Sequence, residues 1–261
     1  MTGKVEVLQL DGSAARSTEL PSVFNTPLRP DIIRKAVVAS QSQRYQPQGR
    51  DPKAGKRTTA ESMGVGHDLS RVPRVKGSQY SRAGAAAFAP STTKGRLTHP
   101  PRAEKRIIKK LNKQEKRYAI RSAIAATGMK DVVQQRGHSI EAKTLPIVVV
   151  DEIENIRTAT EARAAMTGIG VWADIERVKS KHKVYGGRRH TRGRGKKHAV
   201  GPLIVVSQDN GIGRAVRSFE GVQVVNVNRL SAELLAPGTH PGRLTVWSES
   251  ALKSLQETKG N

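Results

Sequence analysis

The sequence predicts an α/β fold, with a mostly parallel open sheet, helices on both faces and a long extended basic loop. Runs typical of buried strands alternate along the chain with segments of helical periodicity, the order that produces parallel sheets. Residues 45–101 break this order, because 57 residues show the period of neither a strand nor a helix. A loop of that length is uncommon in a compact domain and is usually functional or disordered.

These patterns predict one globular domain with two appendages. We expect a single α/β globular domain made of residues 1–44 and 102–261. Residues 45–101 form the extended loop, and residues 177–198 form a basic insertion within the globular domain.

The N-terminal elements follow from short local signals. Residues 4–10 (KVEVLQL) are typical of a strand, which the turn pair Asp11-Gly12 closes. Asp31 is predicted to cap a helix that runs to about Gln43, because apolar residues then recur at helical spacing.

A second helical region is predicted after the long loop. A basic helical stretch follows residue 101 and reaches Lys110. Asn112 and Glu115 form a plausible capping pair for a helix that continues to Thr127. Gly128 then provides a natural stop.

The C-terminal half contains the clearest strand signals. Residues 146–151 (PIVVVD) are a β-branched run that fits a strand buried on both faces. The elements predicted after it are a helix over 158–166 that ends near Gly168, strands over 171–175 and 203–207, a short helix over 211–218, a strand over 222–227, a helical turn over 232–235, a strand over 244–247 and a helix from a Ser248 cap to about Thr258.

The charge predicts a polyanionic partner. The chain has 46 Lys and Arg against 22 Asp and Glu, which gives a net charge of +24. No stretch reaches the roughly 18 to 20 apolar residues that span a bilayer, and no N-terminal segment resembles a signal peptide, so we expect a soluble protein. Aromatic residues make up 3% of the chain, which argues against binding by base stacking and favours contact with phosphates.

The excess charge lies in two blocks. Residues 44–117 contain 19 basic and five acidic residues, and residues 177–197 contain ten basic residues and no acid. These net charges of +14 and +10 account for the whole excess, so the rest of the chain is charge-balanced. The second block also contains glycines, which let the backbone approach phosphates closely.

Three further motifs do not support an enzyme or a metalloprotein. Asp151, Glu152 and Glu154 follow a strand as catalytic acids often do, but no recognisable motif ties a base or nucleophile to them. The segment DNGIGR at 209–214 lacks the third glycine of a dinucleotide motif and the Gly-Lys-Ser/Thr of a P-loop. Three histidines lie in the second block, where cations oppose metal binding and no cysteine or clustered carboxylate joins them: His182, His190 and His198.

Seven segments in order along nearly the whole chain carry a family resemblance. They are RVPRVK (71–76), AFAP (87–90), NKQEKRYAIRSAIAAT (112–127), GPLIVV (201–206), DNGI (209–212), LAPG (235–238) and GRLTVW (242–247). With them the chain resembles the universal ribosomal protein four family of the large subunit, in its archaeal and eukaryotic form.

The resemblance implies a structural component of the large ribosomal subunit in the cytoplasm. Its partners would be large-subunit rRNA and neighbouring large-subunit ribosomal proteins, with no cofactor, metal, membrane or small-molecule substrate. It also implies that the loop lines part of the peptide exit tunnel. The tip of the loop is similar to the family's Gly-x-Gly-Arg pattern at Gly64 and Gly66, but His67 and Asp68 follow here, which leaves Arg71 and Arg74 as the candidates to face the tunnel.

The predicted RNA contacts are the cations of the two blocks together with one tyrosine. They are Arg44, Arg50, Lys53, Lys56, Arg57, Arg71, Arg74, Lys76, Tyr80, Arg82, Lys94, Arg96, Arg102, Lys105, Arg106, Lys109, Lys110, Lys179, Lys181, Lys183, Arg188, Arg189, Arg192, Arg194, Lys196 and Lys197. Such contacts would recognise the shape of folded RNA and not its sequence. A general nucleic-acid-binding or DNA-compacting protein is the main alternative, and an α/β enzyme that acts on nucleic acid is the third.

Overall fold

A computed structural model describes residues 3–142 and 144–257. The chain divides into two compact units. One, which we call the globular unit, comprises Met1–Gln41 and Lys109–Asn261, and the other, the loop unit, comprises Ser42–Ile108. Within the described ranges, no helix is both long and apolar enough to cross a lipid bilayer.

Ten short strands are found among the described residues. They are β1 (Lys4–Leu8), β2 (Ala14–Glu19), β3 (Ala60–Glu61), β4 (Arg74–Val75), β5 (Ile147–Val149), β6 (Lys183–Val184), β7 (Lys196–Lys197), β8 (Leu203–Val206), β9 (Gln223–Asn226) and β10 (Thr245–Ser248). Six of them form one sheet in the order β2-β1-β5-β10-β8-β9. Only the β1–β2 pair in this sheet is antiparallel, which confirms the predicted mostly parallel sheet.

Helices cover both faces of the sheet. They are α1 (Pro30–Ser42), α2 (Lys113–Thr127), α3 (Lys130–Arg136), α4 (Ala159–Gly168), α5 (Trp172–Ser180), α6 (Gly187–Thr191), α7 (Ile212–Ala215), α8 (Ala232–Leu235) and α9 (Glu249–Glu257). Short 3₁₀ segments complete the secondary structure at Ser22–Asn25, Asp151–Asn155, Val227–Arg229 and Pro237–Thr239.

Alternate residues of the central strands point to two separate cores. Val148 and Trp247 pack with apolar residues of α1, α2, α8 and α9. Val149 and Val246 point to the opposite face, where they pack with residues of α3, α4, α5 and α7. Because both faces are covered, β5 and β8 are buried at every position, which explains their continuous β-branched sequences.

The strand predicted over 171–175 is wrong, because this region begins helix α5. Val171, Ile175 and Val178 are all buried, and their spacing of four and then three residues is helical. Asp174 also accepts a hydrogen bond from Arg177 at 2.7 Å, a pairing that the helix makes possible. A short window over VWADI resembles a strand only because it ends before Val178.

The predicted basic helix up to Lys110 is also wrong. Residues 102–110 contain one turn, with a hydrogen bond from Lys105 N to Arg102 O, and no helix. Their cations repel one another, and Ile108 is 56% exposed, so no apolar face stabilises a helix here.

The residues predicted to cap three helices lie at or next to the helix N-termini, but not all of them form a capping hydrogen bond. Helix α2 begins after Asn112 and ends at Gly128 as expected, but the Asn112 side chain makes no capping hydrogen bond. Helix α1 begins at Pro30, so Asp31 lies in its first turn and pairs with Arg29. The Ser248 cap is confirmed, since its hydroxyl accepts from Ala251 N, whereas the predicted end at Thr258 lies outside the described residues.

Outside residues 177–198, the strand β2 and the helix α3 of the globular unit were not predicted. Strand β2 (AARSTE) is almost entirely exposed, so it has no apolar alternation to signal it. Helix α3 is only seven residues long and has one buried residue, Val133. Both are recognisable only from their neighbours in the fold.

The loop unit contains more structure than its sequence predicts. Strands β3 and β4 pair antiparallel, and Arg74 also bridges to Ala86. Val75 and Ala87 are buried, although no strand or helix period in the sequence marks them. Larger apolar residues remain exposed in it, including Met63 at 50% and Val65 at 70%.

Candidate nucleic-acid interface

The second basic block forms a hairpin, which we call the basic arm (residues 182–198). Strands β6 and β7 pair antiparallel, with Lys183 opposite Lys197 and Val184 opposite Lys196. Tyr185 N donates to Gly195 O at 2.6 Å, so the ladder continues toward α6 at the tip. The chain therefore enters the arm after α5, turns at α6 and returns to enter β8.

The tip of the basic arm is compact despite its charge. The guanidinium of Arg189 lies 4.0 Å from the centre of the Tyr185 ring, a cation–π contact. Gly195 is buried, and a Cβ at this position would lie 2.7 Å from the His190 ring. A side chain at position 195 would therefore displace the His190 ring.

Most lysines and arginines of the second basic block, residues 177–197, are not neutralised by the protein. In the part of the chain that the structure describes, Arg177 is the one lysine or arginine of this block that pairs with a carboxylate. The other nine are exposed: Lys179, Lys181, Lys183, Arg188, Arg189, Arg192, Arg194, Lys196 and Lys197. Like charges at this density repel one another unless a polyanion neutralises them.

A buried polar network holds one leg of the arm. His138 Nδ1 lies 2.9 Å from Asp174 Oδ2, and Arg177 donates to Asp174 Oδ1 at 2.7 Å and to Val200 O at 2.8 Å. Burial lowers the pKa of His138, so a neutral imidazole donates its Nδ1 proton to the carboxylate. Burial alone would raise the pKa of Asp174, but the hydrogen bonds from His138 and Arg177 outweigh it and lower that pKa.

Arg243 holds the other leg. Its side chain is 1% exposed and donates to backbone carbonyls of residues 201, 202, 221 and 234, and to the side chain of Gln223. Burial lowers the pKa of Arg243 to about 10, so it remains charged at neutral pH. Its charge is balanced by carbonyl dipoles that lie where the chain leaves the arm and enters β8.

The loop unit uses some of its cations internally. Arg57 pairs with Asp51 and Lys76 pairs with Glu61, both at 2.6 Å. Arg74 donates to Gly84 O and Ser70 Oγ, at 3.0 and 3.1 Å. These three predicted RNA contacts are therefore partly committed to the protein, although exposed ion pairs of this kind contribute little to stability.

The predicted loop tip lies in the connection between β3 and β4. Gly64 and Gly66 have φ angles of +79° and +86°, and no other group lies within 4 Å of the position of a Cβ on either. Ser62 Oγ donates to Arg71 O at 3.0 Å and closes the loop. The two glycines therefore allow a tight turn that presents Val65 to its surroundings.

The remaining predicted contacts are almost all on the surface. Every residue of the predicted RNA-binding set is exposed except Arg74, Arg82 and Arg96, which are half-buried. Arg96 lies 5.9 Å from the Phe88 ring, a weak cation–π contact within the loop unit. Gly64, Gly66, His67 and Arg71 of the predicted tip are exposed as well.

The acids at the carboxyl edge of the sheet have structural roles. Glu154 is buried and accepts hydrogen bonds from Ser207 N, Gln208 N, Ser248 Oγ and Ser250 Oγ. Asp151 Oδ1 accepts from Ser250 N at 2.7 Å. These carboxylates connect the ends of β5, β8 and β10, so the position that favours catalysis in many α/β enzymes is occupied here by a structural network.

The segment 209–214 also has a structural explanation. Asp209 Oδ1 accepts from Gly211 N at 3.2 Å and from Gly213 N at 3.0 Å. The helix that follows, α7, is only four residues long. The motif therefore turns the chain between β8 and α7, as expected from its incomplete match to nucleotide-binding sequences.

Sequence reasoning did not identify the residues that anchor the arm. His138 and Asp174 belong to no recognised motif, and Arg243 lies in the segment GRLTVW without any sign there of a role in anchoring the arm. The only local signal is the spacing of Asp174 and Arg177, which is visible once the region is taken as a helix.

Comparison with known proteins agrees with this architecture. The profile of the ribosomal protein L4/L1 family matches residues 18–258. A large ribosomal subunit protein uL4 from Methanosphaera stadtmanae is 47% identical over 253 residues, covering 97% of this chain and 96% of its own. Proteins of the same name from Methanopyrus kandleri and Methanoculleus marisnigri are 45% and 46% identical over 255 residues, covering 97% of this chain and 98% and 99% of theirs. The chain belongs to the ribosomal protein L4/L1 family.

Proposed function

We propose that this chain is a structural component of the large ribosomal subunit that binds large-subunit rRNA through the basic arm and the loop unit. The observation that carries the proposal is the exposure of nine cations of residues 177–197 without a carboxylate partner among the described residues. Relatives that share 45–47% of the sequence over nearly its full length are named large ribosomal subunit proteins. Membership of a ribosomal protein family also favours a structural role over catalysis.

Phosphates are the chemical groups that the arm fits. Arginine presents a planar set of donors that can bond two phosphate oxygens at once, and four of the exposed cations near the tip are arginines. Among Phe, Tyr and Trp the arm contains a single residue, Tyr185, and Arg189 already covers its ring. Binding would therefore depend on the position of phosphates in folded RNA.

Salt dependence of binding tests this part of the proposal. A variant with Arg188, Arg189, Arg192 and Arg194 changed to Gln should bind large-subunit rRNA more weakly. If each arginine contacts one phosphate, the slope of log K against log salt should become shallower by about 3, at roughly 0.7 to 0.9 per contact. Filter binding over a salt series measures this slope.

A matched control removes the same charge elsewhere. Four of the exposed cations on the globular unit outside both basic blocks serve for this control: Lys4, Arg34, Lys35 and Arg217. Changing these to Gln should leave the slope close to that of the unmodified protein. Equal slopes for both quadruple variants would contradict a specific role for the arm, and equal competition by duplex DNA would favour a general nucleic-acid-binding protein.

We also propose that the connection between β3 and β4 lines part of the peptide exit tunnel, with Arg71 and Arg74 as candidates to face it. The support is the exposed turn at Gly64 and Gly66, which presents Val65 at 70% exposure. A photo-crosslinker at position 65 should react with a stalled nascent chain in ribosomes that contain this protein. The same crosslinker at Lys253, on helix α9, serves as control, and equal reaction at both positions would contradict the proposal.

A further inference from the structure

Three potential metal ligands meet at the root of the basic arm. His182, His198 and Glu220 each offer one ligand atom, and these atoms all lie within 4.8 Å of one another. We refer to them as the root cluster. All three belong to the globular unit.

The hairpin register brings the two histidines together. Lys183 faces Lys197, so the next pair along the ladder is His182 and His198. Their ring centroids are 4.5 Å apart. The pairing is therefore a direct consequence of how the arm folds.

Glu220 comes from a separate segment, the turn that precedes β9. Gly221, with φ +78°, accepts a hydrogen bond from Gly201 N at 3.2 Å, and this contact holds the turn beside the returning leg of the arm. Glu220 lies 22 residues after His198, too far along the chain for a local pattern to indicate a carboxylate next to these histidines.

The protein does not satisfy the root cluster by itself. His182 Nδ1 lies 3.2 Å from Glu220 Oε1. In the described part of the chain, however, His182 Nε2 and Glu220 Oε2 are buried atoms without a hydrogen-bond partner. Buried polar atoms without a partner are costly and call for an explanation such as an ion.

We propose that His182, His198 and Glu220 bind one divalent transition-metal ion of the zinc type. Two imidazoles and one carboxylate are ligands that zinc accepts, at about 2.0 to 2.2 Å each. A tetrahedral arrangement at those lengths separates neighbouring ligand atoms by about 3.3 Å. One potential ligand atom of each residue already lies within 4.8 Å of those of the other two, so small rotations of the side chains, including the exposed His198, can bring the three to this separation.

The carboxylate of Glu220 makes the root cluster suited to a cation and not to a phosphate. Lys181, Lys183 and Lys197 adjoin the histidines in sequence and weaken the binding of a second cation. Glu220 opposes an anion at the same point and supplies the negative charge that the ion requires. A bound ion would join the two legs of the arm to the turn before β9, and water would complete its coordination.

Metal titration of the full-length, untagged protein tests the site in the absence of RNA. After treatment with a chelator, the protein should bind one equivalent of Zn²⁺ by calorimetry. Co²⁺ should bind at the same site and give the visible absorption of a tetrahedral complex. Absence of saturable binding would overturn the proposal.

Single substitutions locate the site. His198→Ala should weaken Zn²⁺ binding at least about tenfold. Changing a residue that only orients a metal ligand already lowers metal affinity by about 10- to 100-fold, so loss of a ligand should cost at least as much. Glu220→Gln keeps the shape of the side chain but should weaken binding similarly. His190→Ala removes an exposed histidine of the same arm outside the cluster and should leave Zn²⁺ affinity unchanged. Equal affinity in all three variants would overturn the assignment.

Proteolysis provides a readout that does not depend on heat of binding. Trypsin cleaves after the lysines and arginines of residues 183–197, and Zn²⁺ should slow this cleavage in the unmodified protein by fixing the root of the arm. The protection should disappear in His198→Ala and persist in His190→Ala. Zn²⁺ protection that survives in His198→Ala would show that the ion acts elsewhere and would contradict the proposal.

Discussion

Replacing Glu154 with Gln should lower the free energy of unfolding of the globular unit, because Glu154 has a structural role. Glu154 Oε1 accepts from Ser207 N and Ser248 Oγ, both at 2.7 Å, and from Ser250 Oγ at 3.1 Å, while Oε2 accepts from Gln208 N at 3.2 Å. A glutamine oxygen at the Oε1 position can keep three of these bonds. Its NH₂ group then faces the Gln208 N–H, so two donors oppose each other.

The expected loss follows from these contacts. An orphaned buried donor costs about 1 to 3 kcal/mol, and the three remaining bonds weaken because their acceptor is no longer charged. The sum is a decrease of about 2 to 4 kcal/mol in the free energy of unfolding. For a chain of this size, this corresponds to a melting temperature lower by roughly 4 to 16 °C.

Denaturation of the full-length protein measures this loss. Urea unfolding followed by circular dichroism should give a lower midpoint with an unchanged slope. Glu152→Gln is the matched control, because Glu152 is exposed in the same 3₁₀ segment and should change stability by less than about 0.5 kcal/mol. A Glu154→Gln protein as stable as this control would refute the structural role of the buried carboxylate.

Three other perturbations have defined outcomes. Arg243→Met should lower the unfolding free energy by about 3 kcal/mol or more, and a urea titration measures this, because it removes the side-chain donor to four backbone carbonyls, of which only those of 202 and 221 keep a backbone partner among the described residues. Because the pKa of His138 is lowered from 6.5 in the folded protein, the unfolded state takes up a proton more readily than the folded state. The contribution of His138 to the free energy of unfolding is therefore complete above pH 6.5 and is lost as the pH falls below that value. His138→Asn should flatten the decline of unfolding free energy over that window, whereas the exposed His190→Asn should leave it unchanged. Deleting residues 45–101 and joining the ends with a short glycine-serine linker should leave a cooperative thermal transition, since the globular unit contains both large cores, and loss of that transition would contradict the separation of the two units.

The sequence identified most elements of the sheet because their signals are local. Ile147 to Val149 and Leu203 to Val206 are runs of residues that prefer a pleated, buried environment, and both form central strands. Elements that are short or exposed lack such local signals. Strand β2 has no apolar alternation, and α5 was taken for a strand because the window 171–175 ends before Val178, which completes its helical spacing.

The basic residues were found from the sequence, but their partners were not. A count of charges along the chain is enough to locate both blocks. It does not indicate that Arg57 and Lys76 pair with acids of the loop unit, nor that Arg177 anchors the arm through Asp174 and Val200. These pairings depend on the path of the backbone.

By itself the sequence determined the fold class and the division into charge-balanced and cationic segments, since both depend on the composition and period of neighbouring residues. The tertiary structure alone decided which distant side chains meet. Glu154 lies 94 residues before Ser248, and His182 lies 38 residues before Glu220, yet each pair is in hydrogen-bond contact. No local pattern encodes such contacts, because they arise from the packing of helices on the sheet and the order of its strands.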